Sequence, residues 1–195
     1  MYIIGDVHGR VNEYWKLLKR LKSSSIQLGD FGFLEEHRWF LENINVDHHR
    51  MIFGNHDYLP YVYHKHSLGD TSTLEKGRIM TIRGAYSRDK ANRLHGHDWF
   101  STEEMPYSQW QYEVIPEFES VLPSIVLSHD CPNVVMEELF GYEKIDKTIT
   151  GSALSQCFEL HKPDVWIFGH HHRSVNKTID GTKFICLDEL EILEI

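Results

Sequence analysis

No apolar run in the 195-residue chain approaches the ~20 residues a helix needs to span a bilayer, so no membrane-spanning helix is expected. The opening residues, MYIIGDVHG, have neither a basic stretch nor a small-residue cleavage site. No signal peptide is read there, and the cytoplasm is the expected setting. Cysteine is scarce: Cys131, Cys157 and Cys186 are odd in number and lack zinc-site spacing, which suits reduced core thiols in a reducing compartment. Positive charge is also short. The formal charge of −9 argues against a broad basic footprint for duplex DNA or RNA. It leaves anionic ligands open, because divalent cations reverse the local sign wherever carboxylates cluster. Internal repeats, low-complexity tracts and Pro/Gly/Ser linkers are missing, so residues 1–195 are read as one domain.

What the chain does have is a globular balance, 41% hydrophobic and 25% charged, together with fourteen histidines. So many imidazoles in so short a chain call for a reason, and metal ligation is the first to test. Short apolar runs at residues 2–4, 25–28 and 51–53 predict strands. Residues 10–22 and 35–45 carry apolar side chains at helical spacing. This β-α-β-α-β alternation predicts an α/β layered fold. Further strands are expected at 78–83, 124–127 and 165–168, then a hairpin around Asp180-Gly181 closing with 183–187, and an edge strand within 190–195.

Each predicted strand ends in a polar cluster. These are Gly5-Asp6-Val7-His8, Gly29-Asp30, Gly54-Asn55-His56-Asp57, Ser128-His129-Asp130 and Gly169-His170-His171-His172. Open α/β sheets gather their sites outside the carboxyl ends of strands, so the five clusters should converge on one rim. Asp6, His8, Asp30, Asn55, His129, His170 and His172 then offer a mixed N/O donor set. Such a set suits Mn, Fe, Zn or Co better than a thiolate-preferring ion, with Mn favoured. Seven donors exceed the needs of one ion with an open position, and two ions account for them. In extended backbone residues i and i+2 share a face, so Asp6 could join His8, and His170 could join His172, with Val7 and His171 pointing elsewhere. Two dications roughly 3.5–4 Å apart need a bridging anion, for which Asp30 is the candidate.

The ordered set GDVHG, GD, GNHD, a His directly after an apolar strand, then GHHH resembles the calcineurin-like metallophosphoesterases. The resemblance implies a four-layer α/β/β/α sandwich with a dinuclear site at its rim. It implies Asp6, His8 and His172 at one ion, Asp30 as the bridge, and Asn55, His129 and His170 at the other. His56 would be the general acid or leaving-group stabiliser, oriented by Asp57. The chain departs from members carrying GDxxDR: after Asp30 it reads Phe31-Gly32-Phe33-Leu34, without the phosphate-contacting Arg of the protein-phosphatase branch. Arg10, Arg83, Arg88 and Arg93 are the candidate substitutes. The segment RGAYSRDKANR followed by Trp99, Glu103 and Glu104 looks like that of small bacterial and phage metallophosphoesterases. Residues 83–118 are expected to be an insert or cap near the site, and its aromatics could stack a base or simply pack.

The resemblance implies a phosphoesterase using hydroxide generated at the metal pair for in-line attack. It would be either a phosphomonoesterase acting on a phosphoprotein, a nucleotide or a phosphorylated small molecule, or a phosphodiesterase. Two rival readings stand beside it: a silent metal- or phosphate-binding module, against which the intact donor set speaks, and a single-ion redox or oxygenase centre, for which the donors are too many.

Overall fold

The computed structural model describes residues 1–44, 48–142 and 148–195. In chain order its first elements are β1 (Tyr2–Ile4), α1 (Val11–Leu18), β2 (Ser25–Gln27), α2 (Leu34–Asn43), β3 (His49–Met51), β4 (Thr71–Leu74) and β5 (Ile79–Ile82). A helical stretch follows, from α3 (Tyr107–Gln109) through a π turn (Trp110–Val114) into α4 (Ile115–Val121). Then come β6 (Ile125–Ser128), α5 (Met136–Phe140), α6 (Ile149–Leu160), β7 (Val165–Phe168), β8 (Val175–Ile179), β9 (Thr182–Cys186) and β10 (Ile192–Glu194). Pro116 explains the π turn, because its missing N–H and its ring are incompatible with regular i to i−4 bonding at that point.

Two sheets form among the described residues, in the orders β10-β1-β2-β3 and β4-β5-β6-β7-β9-β8. Strands β1 to β3 are mutually parallel, as are β5, β6, β7 and β9, while β10, β4 and β8 are antiparallel edges. The short apolar runs become strands because both their faces are covered. Ile3, Ile26, Ile79, Leu127, Ile167 and Ile185 meet between the sheets. Ile4 and Met51 face the α1–α2 layer with Tyr14, Leu18 and Phe40. Val126, Trp166 and Phe184 face α4–α6 with Phe118, Leu154 and Phe158. The result is the expected four-layer α/β/β/α sandwich.

Several boundaries differ from expectation. The first helix ends at Leu18, and β3 pairs through residues 49–51, with Ile52 bonding once more to Gln27. The predicted second helix ran to Asn45, which lies outside the described residues; its described part ends at Asn43. The sequence pattern predicts neither the helices between residues 107 and 160 nor strand β4. No helix among the described residues is long and apolar enough to cross a membrane.

Candidate metal centre and active site

The parallel strands of both sheets deliver their carboxyl-end loops to one rim, where backbone bonds stitch them together. Val7 and His8 donate to the Asp30 carbonyl at 3.0 and 2.8 Å, and the His170 N–H donates to the Asp6 carboxylate at 3.0 Å. Asp57, fully buried, accepts from four backbone N–H groups: Asp30 (2.9 Å), Phe31 (2.7 Å), Gly32 (3.1 Å) and Gly54 (2.6 Å). It therefore ties the loop after β2 to the loop after β3. Here the expectation that Asp57 orients His56 needs correction, because its carboxylate is spent on backbone donors.

Two groups of ligand-type atoms lie on this frame. Asp6, His8, Asp30 and His172 form one; Asp30, His129 and His170 form the other, and Asp30 belongs to both. In the first, the Nε2 atoms of His8 and His172 are 2.8 Å apart, with Asp30 Oδ2 3.5 Å from His8 and Asp6 Oδ2 3.4 Å from His172. In the second, His129 Nε2 lies 3.2 Å from Asp30 Oδ1 and 3.2 Å from Asn55 Oδ1. The Nδ1 of His129 is 2.7 Å from the Leu28 carbonyl, which leaves Nε2 aimed at Asp30. Gly54 makes this approach possible: a Cβ there would stand 2.2 Å from Asp30 Oδ1 and 2.4 Å from His129 Nε2.

The local geometry behind these groups is not extended strand. His8, His170 and His172 have φ of +47°, +64° and +48°, so they sit in turns. His170 and His172 accordingly part company, one joining each group. Val7 is buried in the core, as its place between Asp6 and His8 suggested.

Electrostatics show what this site demands. Burial works to raise Asp6, but bonds from His172 and His8 outweigh it and hold the carboxyl below its usual range. Burial opposes ionisation of Asp30 too, and the His129 charge holds it well down. Burial would lower His129, yet Asp30 and Asp6 push it up to about 10. Buried carboxylates thus favour positive charge between them, which a bound cation would supply. Converging imidazole nitrogens, carboxylate oxygens and an amide oxygen fit borderline divalent ions.

A cleft of about 270 Å³ opens beside the groups, lined by Asp30, Asn55, His56, Tyr86, Arg88, Asp89, Arg93, Tyr142 and His170 to His172. The four arginines proposed from sequence separate here. Arg88 and Arg93 line the cleft. Arg83 is buried instead, 2.5 Å from Asp70 and 2.9 Å from the Thr102 carbonyl, outside the cleft lining. Arg10 pairs with Glu13 and Glu189 outside the cleft lining. His56 Nε2 accepts from Arg93 Nη2 at 2.5 Å, and burial, with help from that guanidinium, lowers the imidazole pKa.

Some neighbours were not legible beforehand. Asp130, Cys131 and His171 form a third cluster of ligand-type atoms, with His171 Nε2 3.1 Å from Asp130 Oδ1. The sequence signal was present in the Ser128-His129-Asp130 run, but nothing in it paired Asp130 with His171. Tyr86, Ser87 and Asp89 lie in the expected 83–118 insert without any pattern that singles them out as site residues, and Tyr142 carried no signal.

Among curated proteins, none matches the chain in sequence. Its fold recurs in a number of solved structures, among them these two. One is a candidate 5′-nucleotidase from Staphylococcus aureus with bound alpha-ketoglutarate, at TM-score 0.54 and 16% identity, covering 98% of this chain and 49% of that one. The chain therefore spans about half the length of that protein. The other is a phosphopantetheinyl hydrolase from Mycobacterium tuberculosis, at TM-score 0.53 and 15% identity, covering 96% and 89% of the two chains. The family model for the calcineurin-like phosphoesterases matches residues 1–174. With that match, the two-sheet sandwich and the ligand groups at its rim, the chain belongs to the calcineurin-like phosphoesterase family.

Proposed function

We propose that the chain hydrolyses a phosphate ester at a pair of divalent cations. Asp6, His8, Asp30 and His172 would hold one, and Asp30, Asn55, His129 and His170 the other. The membership of Asp30 in both ligand groups carries this reading, since two neighbouring cations need a shared anion between them. Mn is favoured, with Fe, Zn and Co compatible with the same donors. When bound, such cations supply acidified water and offset phosphate charge.

The protein's own groups do the rest. Asp57 is a positioning residue that fixes the loops bearing Asp30 and Asn55 through its four N–H contacts. Arg88 and Arg93 present positive charge to the cleft and would contact non-bridging phosphate oxygens. His56 and Arg93 face the cleft as a hydrogen-bonded pair, and stabilisation of the leaving oxygen is assigned to that pair. Arg10 and Arg83 are not assigned a substrate contact.

The substrate read from this cleft is a phosphorylated small molecule or nucleotide. The confined volume and the −9 charge both speak against duplex nucleic acid, and a phosphoprotein would have to offer its phosphate on an extended segment. The solved structures sharing the fold, a candidate nucleotidase and a phosphopantetheinyl hydrolase, are consistent with small esters. Residues 1–195 are taken as one domain in which residues 83–118 are an insert walling the cleft. A reducing, cytoplasmic setting is favoured by three free, buried cysteines.

The test is hydrolysis of p-nitrophenyl phosphate against bis-p-nitrophenyl phosphate, in Mn²⁺ and in chelator. Metal-dependent turnover is expected, and the preferred ester divides phosphatase from phosphodiesterase. Two bound cations with neither ester hydrolysed would instead point to a narrow natural substrate or a binding role.

A further inference from the structure

Behind Asn55 runs a buried chain of hydrogen bonds whose direction is fixed at its far end. Asn55 Nδ2 donates to Ser87 Oγ at 3.0 Å, and Ser87 Oγ donates to Glu103 Oε2 at 2.6 Å. The Ser87 N–H donates to the other oxygen, Glu103 Oε1, at 3.0 Å. Asn55, Ser87 and Glu103 are exposed by only 3%, 1% and 3%, so water does not compete. We infer that Glu103 and Ser87 are positioning residues that force the amide oxygen of Asn55, rather than its nitrogen, toward the candidate cation site. The inference rests on the dinuclear reading above and extends it into the 83–118 segment.

The argument is one of donors and acceptors. A carboxylate only accepts, and a serine hydroxyl has one proton. With that proton committed to Glu103, Ser87 has only lone pairs left for Asn55. The two ends of the amide have nearly the same shape, but only the NH₂ end can meet a lone pair. The oxygen must therefore face the other way, and it does, 3.2 Å from His129 Nε2. Arg83 secures the far end: its guanidinium, anchored on Asp70, donates to the carbonyls of Thr102 (2.9 Å) and Glu103 (3.4 Å). Gly84 permits the crossing, since a Cβ there would stand 2.6 Å from the Glu103 carbonyl oxygen. This gives the buried Arg83, read from sequence as a substrate contact, a different task.

Glu103→Gln keeps the shape and frees the polarity. A glutamine NH₂ can donate to Ser87, whose proton then turns to Asn55 and favours the flipped amide. Calorimetric Mn²⁺ titration should show one of two equivalents weakened about 10- to 100-fold, the usual effect of removing a partner behind a metal ligand. Adding Asn55→Asp supplies an oxygen in either orientation and accepts the freed Ser87 proton. In the wild-type background the same change sets a carboxylate against a lone pair. Asn55→Asp should therefore improve affinity more in Glu103→Gln than in wild type, a sign that a purely structural role would not produce. In the metal-free protein, the Asn55 side-chain amide resonances should move in Glu103→Gln. If Glu103→Gln does not fold, Ser87→Ala carries the same expectations for affinity and resonance. Unchanged affinity together with an unmoved Asn55 amide would overturn the relay. A wild-type protein binding fewer than two equivalents would instead overturn the dinuclear reading, while the metal-free resonances still report on the relay.

Discussion

His172 leaves 45% of its side chain exposed, whereas His129, on the other side of the shared Asp30, is wholly enclosed. In the first ligand group Asp6 and Asp30 are buried, His8 and His172 sit at positive φ, and His172 lines the cleft. The second is held by bonds that cross the fold: His129 to the Leu28 carbonyl, Asn55 to Ser87, and Asp57 to two loops. The difference teaches that one shared carboxylate can serve two environments. On the buried side it offsets the charge of an enclosed imidazole and helps hold the fold. On the open side it contributes to a site that solvent and ligands can reach.

Asp30→Asn should have the largest effect, because it weakens both groups at once. We expect turnover to fall by at least about 10³-fold, as several kcal/mol of charge stabilisation are lost. Calorimetry should find both Mn²⁺ equivalents weakened; loss of only one would mean that the groups are independent. Next, His129→Gln and His172→Gln separate the environments. In chelated protein, His129→Gln should cost about 3–5 kcal/mol, as expected for breaking a buried ion pair. His172→Gln should cost less than about 1 kcal/mol, because its partner contact is half solvated. Equal losses in chemical denaturation would break the distinction.

Arg93→Gln tests the open side further. It should lower kcat/KM by about 10- to 100-fold, the range for one charge-assisted hydrogen bond, with little change in melting temperature. A lowered melting temperature at unaltered kcat/KM would assign Arg93 a packing role.

The smallest expected effect is a pH slope from the buried side. His37 stacks on Phe53 at 4.8 Å and lies 3.6 Å from Asp57, and burial lowers its pKa to about 3. The unfolded chain takes that proton near the ordinary value of 6.5, and the folded chain does not. The resulting stability is complete above about pH 6.5 and declines progressively toward pH 3. Denaturation midpoints at pH 7 and pH 5 should therefore differ less in His37→Gln than in wild type; identical differences would remove His37 from the account.

Much of the rim was legible because each ligand cluster directly follows an apolar strand. A parallel sheet brings strand ends together whatever the intervening sequence, so Asp6, Asp30, Asn55 and His170 could be gathered without knowing the loops. The helices between 107 and 160 were less legible, with a proline-linked π turn interrupting the regular period. The arginines show a sharper limit. Arg83, Arg88 and Arg93 look alike in RGAYSRDKANR, yet one is buried on Asp70 and two line the cleft. Nothing local to that segment names Asp70 as a partner.

The sequence by itself determined the donor types, their order and their attachment to strand ends, because strand periodicity and side-chain chemistry are local properties. It determined the layered α/β architecture for the same reason. Only the tertiary structure decided that Arg83 is buried on Asp70 while Arg88 and Arg93 line the cleft, that Asp57 grips backbone rather than His56, and that Glu103 lies behind Asn55. Those outcomes depend on which backbone donors and buried charges meet across the fold, and such meetings are set by packing between residues far apart in the chain.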